Sequence, residues 1–246
     1  MINVSLFSIT TIAVFLATLF QTVAGFGYAI IGVPILSMFL GVKEAVVFIL
    51  ISGTYMRIFM LYLVRKEIDF SVVKLLFIGS LIGVVPGALV LKFVSASTLN
   101  IILGTTLVLA IILLKRRFTW KTIHEKLEAI LFGIVGGFFT ASTGVGGPPA
   151  AMYMVHKGKS KEESRADLIC YFVLCNIWTL SIGYFIGTMK IEDFLGMPLW
   201  TIPAGFLGMY AGEKIFRYIN QRVFNLIAML AIVISALTMI YKGLIL

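Results

Sequence analysis

The stretch Phe138-Phe-Thr-Ala-Ser-Thr143-Gly144-Val145-Gly146-Gly147-Pro148-Pro149-Ala-Ala-Met-Tyr-Met154 interrupts a chain that is apolar on both sides of it. Thr143 to Pro149 do not continue an α-helix. Gly144, Gly146 and Gly147 loosen the backbone, and Pro148 and Pro149 lack the N–H groups that a helix interior needs. Proline suits the first turn of a helix, so a new helix is predicted to begin at about Pro149. A break inside an apolar run leaves backbone groups that lipid does not satisfy. It persists only where protein surrounds it or where it lines a wet cavity. A second break of the same kind lies 119 residues earlier, in Gln21-Thr22-Val-Ala-Gly25-Phe26-Gly27-Tyr28, where Gly25 and Gly27 match Gly144 and Gly146.

Composition sets the environment. Of the 246 residues, 60% are apolar and 13% charged, with a mean hydropathy of +1.06. Soluble domains carry roughly 25% charged residues, so the chain is expected to form one transmembrane domain over residues 1–246, with lipid as its main surroundings. The first residues, Met1 to Ser5, lack the basic segment of a cleavable signal, and the first helix is expected to stay. The net charge of +9 does not imply a nucleic-acid partner, because the basic residues cluster at helix ends, where they orient the chain. Cys170 and Cys175 lie in one apolar helix on different faces and read as packing residues.

The plan repeats. Apolar segments are predicted at 5–24, 28–40, 43–64, 70–91 and 97–114, then at 127–142, 149–155, 163–188, 194–213 and 223–241. Gly83, Gly87, Lys92 and Asn100 recur 125 residues later as Gly208, Gly212, Arg217 and Asn225. Two repeats, 1–117 and 122–246, account for this. If each broken segment dips into the membrane and returns, three crossings remain per repeat, and an odd number inverts the second repeat. With the amino terminus outside, 15 of the 20 basic residues then fall inside. Lys43, Lys92, Lys190 and Lys242 fall outside, and Arg57 lies within the membrane. That split follows the positive-inside rule. Four crossings per repeat would instead divide the basic residues nearly evenly. Two short crossings in place of each dip give the same sidedness. The expected fold is therefore all-α, with two inverted-topology repeats. Each is a broken re-entrant hairpin plus three transmembrane helices, and both termini are outside.

This geometry brings the two glycine tips together near the bilayer midplane. Helices resuming at Tyr28 and Pro149 would place two N-termini there, each with free N–H donors and about half a positive charge. Such an arrangement suits an anion. Arg57 sits about eight residues from the inner end of its helix, on the order of 12 Å deep at 1.5 Å per residue. A midplane arginine is costly, about 2.5–3.5 kcal/mol on insertion scales, and nothing acidic lies near it in sequence. It reads as an anion ligand, against the alternative of an arginine that snorkels or closes a structural network. Its counterpart in the second repeat is Asn176, or Cys175 if that helix is aligned one residue off; Asn176 is preferred as a polar, uncharged group within the membrane. The candidate binding residues are Gln21, Thr22, Gly25, Phe26, Gly27 and Tyr28 at the first break and Arg57 and Asn176 on the following helices. At the second break they are Thr140, Ser142, Thr143, Gly144, Val145, Gly146 and Gly147. The ladder Gly79, Gly83, Gly87 is explained by close helix packing.

An enzyme is not indicated. The two histidines, His124 and His156, fall at helix ends, Ser142 has no base, and no phosphate loop, paired carboxylates, metal ligands or cofactor motif occur. The reading is a secondary transporter of a small anion, the alternatives being an anion channel or a non-transporting scaffold.

The twin breaks Ala24-Gly-Phe-Gly27 and Thr143-Gly-Val-Gly-Gly147 resemble those of the sulfite exporter TauE/SafE family of membrane permeases. So do the pairs Lys43-Glu44 and Lys161-Glu162, the chain length and the four-segment repeat. The resemblance implies a permease in a bacterial or archaeal cytoplasmic membrane that moves sulfite or small organosulfonates. The first repeat departs from the fuller glycine run, with Tyr28 where the second has Gly147.

Overall fold

A computed structural model describes residues 4–116, 124–190 and 199–218, and residues 233, 236, 237, 239–241 and 243–245. Among them there are helices and turns but no strand. The helices are α1 (Val4–Ala24), α2 (Tyr28–Ser37), α3 (Val42–Val64), α4 (Phe70–Phe93), α5 (Ala96–Arg116), α6 (Glu125–Thr143), α7 (Gly147–His156) and α8 (Lys161–Phe185). A 3₁₀ turn, Leu199–Thr201, leads into α9 (Ile202–Tyr218). Five of them, α1, α3, α4, α6 and α8, are long and apolar enough to cross a membrane. Most of the segment expected at 223–241, and the basic residues Arg117, Lys121 and Arg222, lie outside the described residues.

Both breaks fall where the glycines and prolines put them. Helix α2 begins at Tyr28. Helix α7 begins at Gly147, two residues before the expected start. Pro148 and Pro149 occupy its first turn, where no N–H has an intrahelical acceptor, so neither proline costs a hydrogen bond. Helix α9 runs five residues past the expected end, to Tyr218. Its polar last turns are held there by an ion pair of Glu213 with Arg165, while Lys161 and Arg165 lie over the Phe216 ring.

Contacts fix the helix directions. Helix α2 doubles back on α1, with Gly32 beside Ala17 and Gly27 beside Phe20. Helix α3 then reverses again, packing Ile49 on Gly32 and Ser52 on Tyr28. Helix α7 likewise folds back on α6. The Phe132 and Tyr153 rings lie 5.7 Å apart, and Glu125 and Glu128 pair with Lys157 and His156. Helices α4 and α6 run parallel at backbone contact. A Cβ on Gly79, Gly83 or Gly87 would overlap the carbonyl of Ile130, Ile134 or Phe138 respectively. Helices α9 and α1 make the same kind of contact, Gly208 on the Phe15 carbonyl and Gly212 on the Leu19 carbonyl. Helix α8 runs antiparallel to α3, with Asn176 at Leu50 and Thr54 and Asp167 at Asp69.

These directions gather the polar ends into two sets. One end holds Arg65, Asp69, Lys157, Lys159 and Arg165, where Lys159 pairs with both Asp69 and Asp167. At the other, Lys43 donates to the Lys92 carbonyl (2.9 Å) and Lys92 to the Ile186 carbonyl. From the first tip the Tyr28 side chain reaches Ser52 and Gly53, in the middle of the 23-residue α3.

Candidate functional site

The first tip is built around one amide. Gly25 (φ 76°) and Gly27 (φ 118°) hold the left-handed backbone that turns α1 into α2, which costs any other residue about 1–2 kcal/mol. Gly25 also packs on the backbone of Arg165, where an added Cβ would stand 2.8 Å from Cα. Gln21, in the last turn of α1 and fully buried, bridges the tip. Its Nε2 donates to the Gly25 carbonyl (2.5 Å). Its Oε1 accepts from the Tyr28 N–H (3.2 Å), the first donor of α2, and from Arg57 Nη2 (3.3 Å).

Arg57 is 5% exposed. Its guanidinium lies 5.4 Å from the Tyr28 ring centroid and 5.3 Å from that of Phe172. Each such contact is worth about 0.5–2 kcal/mol. Gly53, one turn earlier on α3, makes room for it, since a Cβ there would stand 2.8 Å from Arg57 Nη1. Tyr28 Oη donates to Ser52 Oγ (3.1 Å), which fixes the ring beneath the cation. Among the described residues Arg57 has no carboxylate partner, and its buried Nε makes no hydrogen bond. An arginine that snorkelled would reach water; this one is enclosed with a donor to spare.

The second tip has a different character. Gly144 takes the left-handed turn (φ 77°), while Gly146 (φ −82°) is ordinary in backbone but packed so tightly on Thr140 and Gly136 that a Cβ would overlap both. The hydroxyls of Thr140, Ser142 and Thr143 each donate to the carbonyl four residues back, at 2.7, 2.8 and 2.9 Å. Thr22 does the same to Thr18 (2.8 Å). A hydroxyl whose proton is spent in this way presents lone pairs, which repel an anion. Thr143 uses one to accept from the Val145 N–H (3.3 Å). The helix ends differ too. The first turn of α2 offers N–H groups at Tyr28, Ala29 and Ile30. In α7 only Gly147 has one, because Pro148 and Pro149 follow it.

The two tips touch. Phe26 covers Gly147, whose added Cβ would lie 2.9 Å from the Phe26 ring, and Gly144 packs on Ala29 and Val33. Asn176 (1% exposed) reaches α3 one turn above Arg57, donating to Thr54 Oγ1 (3.2 Å) and the Leu50 carbonyl (3.4 Å). Gln21, Gly25, Tyr28 and Arg57 thus form one cluster. Phe26, Gly144 and Gly147 form the contact between tips, and Asn176 lies beside them. Sequence reasoning missed Ser52, Gly53, Phe172 and Arg165. The pair Gly53 and Arg57 carried a signal, since a glycine four residues before an intramembrane arginine clears space on the same helix face.

Two cavities flank the cluster. One of about 680 Å³ opens at the end that carries Lys43, Lys92, Lys190 and Glu44, and its floor includes Val47 and Ile51 of α3. The other, about 340 Å³, opens at the opposite end between Leu63, Val64, Arg165, Glu213 and Arg217. Helix α3 lines both, and Arg57 stands between its two lining stretches.

No curated protein and no solved structure matches the chain. The profile of the family described as Sulfite exporter TauE/SafE matches residues 10–239, nearly the whole chain, and so spans both breaks, Arg57 and every residue lining the two cavities except Leu6. The chain belongs to the sulfite exporter TauE/SafE family, a family of membrane transporters.

Proposed function

We propose that the protein is a secondary transporter of a small sulfur-containing anion, sulfite or an organosulfonate, working by alternating access around a midplane site where the two tips meet. The observation that carries this reading is Arg57, enclosed on α3 with no counter-ion among the described residues and beside the N-terminus of α2. A buried cation is costly alone; an anionic substrate supplies the missing charge. Cavities lined by opposite ends of α3, with Arg57 between the two stretches, fit a site offered to each side in turn. The family description supplies the sulfur chemistry.

Inverted repeats underlie the alternation. Their support is a contact made twice. Gly83 meets the Ile134 carbonyl and Gly208 meets the Phe15 carbonyl, and these pairs are related by the same offsets, 125 and 119 residues, that relate the repeats in sequence. Each repeat lays its glycine ladder on the other repeat's first helix. Helices α1, α3 and α9 run one way and α4, α6 and α8 the other, so matched helices point in opposite directions. With each hairpin re-entrant, both termini lie outside the cytoplasmic membrane and the richly basic end faces the cytoplasm.

The test is flux into liposomes reconstituted with the purified chain, using sulfite, methanesulfonate, sulfate, chloride and acetate. Saturable uptake of sulfite or methanesulfonate, accelerated by the same anion on the far side, is expected. Non-saturable flux without exchange would make the protein a channel, and no flux of any anion would sink the proposal.

A further inference from the structure

We propose that Gln21 is an internal ligand of the anion site: its amide oxygen occupies the position of a substrate oxygen, and the anion binds by displacing it. This rests on the reading of Arg57 and the first tip as the binding site.

The geometry of the amide carries the inference. Gln21 Oε1 receives two donors from two other helices, the Tyr28 N–H of α2 and Nη2 of Arg57 of α3. These are the helix N-terminus and the guanidinium that an oxyanion would take. Both bonds are long, 3.2 and 3.3 Å, where N–H to oxygen bonds ordinarily centre near 2.9–3.0 Å and charge-assisted ones near 2.7–2.9 Å. A neutral amide oxygen thus holds two donors loosely. An oxyanion makes the Tyr28 bond charge-assisted, about twice as strong, and turns the Arg57 bond into an ion pair. It also has further oxygens for the Arg57 Nε, which the amide leaves without a partner.

The second repeat supplies an independent comparison. Its residue at the matching position is Thr140, whose hydroxyl is spent on Gly136 of its own helix. No side chain there plays the part of Gln21. The position matching Arg57 there holds the uncharged Asn176, so of the donor pair that Gln21 joins only the matching N–H, that of Gly147, remains. The amide stand-in occurs only at the tip that carries the guanidinium. Its consequence is to lower affinity: every binding event must break the bonds of Gln21, which keep two of the site's donors occupied when it is empty and let a bound anion leave.

Two variants, Gln21→Glu and Gln21→Met, test this with methanesulfonate and sulfite as probes, through melting temperature and Kd of the purified protein. Gln21→Glu makes the internal ligand a permanent anion. Its ligand-free melting temperature is expected at or above that of the wild type, with methanesulfonate affinity weakened more than 10-fold. Gln21→Met removes the competitor. Its ligand-free melting temperature should fall while methanesulfonate binds about 3- to 10-fold more tightly, the opposite of what loss of a substrate ligand or of a structural bridge would give. Unchanged or weaker binding by folded Gln21→Met overturns the proposal, as does wild-type affinity in Gln21→Glu; if Gln21→Met does not fold, Gln21→Glu alone decides. A wild type that responds to neither anion would instead sink the binding-site reading itself.

Discussion

At the scale of single residues, the energetic question is how Arg57 is tolerated. An arginine at this depth costs about 2.5–3.5 kcal/mol on insertion scales. Its hydrogen bond to Gln21 returns about 1.5–3 kcal/mol, and the Tyr28 and Phe172 rings add further attraction. The sums are comparable, so the side chain is held but not required for folding. Arg57→Met is therefore expected to insert and melt close to the wild type while losing anion binding. Arg57→Lys keeps the charge but not the planar fork, and should bind at least 10-fold more weakly. Loss of folded Arg57→Met protein, with transport per surviving molecule intact, would make the arginine structural. Gly53 offers a subtler test of the same idea. A methyl there meets Arg57 Nη1 at 2.8 Å and Tyr28 Cδ1 at 3.0 Å, so Gly53→Ala should weaken methanesulfonate binding by shifting the guanidinium while leaving every proposed ligand in place.

At the scale of elements, the breaks were legible because glycine and proline act locally: Gly25, Gly27, Gly144 and the two prolines each dictate their own backbone. The glycine ladder was legible as packing for the same reason, although its partner, α6, was not. What the sequence concealed depends on distant parts of the chain. Gln21 meets Arg57 across 36 residues, and Phe172 completes the cation's surroundings from α8. The hydroxyls at the second tip donate to carbonyls of their own helix, a choice of partner that residue type alone does not reveal. Another such long-range element is the junction of Asp69, Lys159 and Asp167, which joins the α3–α4 and α7–α8 connections. Hydrogen bonds from Lys159 and Ser71 hold the Asp69 carboxyl well below the usual carboxylate range. Burial pulls the Lys159 pKa down, but Asp69 and Asp167 outweigh it and leave it raised. A lowered acid stabilises above its unfolded value, about 3.9, and loses that as pH falls through the folded value; a raised base stabilises fully below about 10.4 and loses it on further rise. Between about pH 5 and 9 neither Asp69 nor Lys159 changes charge, so this pair should add no pH dependence to the melting temperature there. Lys159→Met leaves the fully buried Asp167 carboxylate uncompensated, a loss of about 3–5 kcal/mol. Lys159→Met with Asp167→Asn should recover most of it, read as the melting temperature in detergent.

At the scale of the whole molecule, the two ends differ in charge, and that difference bears on both orientation and traffic. Reporters fused at Glu67 and Lys159 should read cytoplasmic, and those at Ser95 and Thr188 external; the reverse pattern would invert the proposed topology. At the end proposed to be external, the larger of the two cavities collects Lys43, Lys92 and Lys190 against one carboxylate, Glu44. Lysines around a concave mouth raise the local concentration of anions and their rate of arrival. They stand apart from the cluster at Arg57, so they should govern how fast an anion enters, not how tightly it is held. Lys92 also pins the Ile186 carbonyl and is best left alone. The double variant Lys43→Gln with Lys190→Gln is therefore expected to transport several-fold more slowly than the wild type at low ionic strength, with the affinity at the central site unchanged. Screening supplies the control. The Debye length falls from about 30 Å at 0.01 M to about 3 Å at 1 M salt, so the two proteins should converge as salt is added. A rate difference that persisted at 1 M would mean that the lysines act by contact or by shaping the mouth, and an equilibrium affinity that fell with the rate would place them in the binding site.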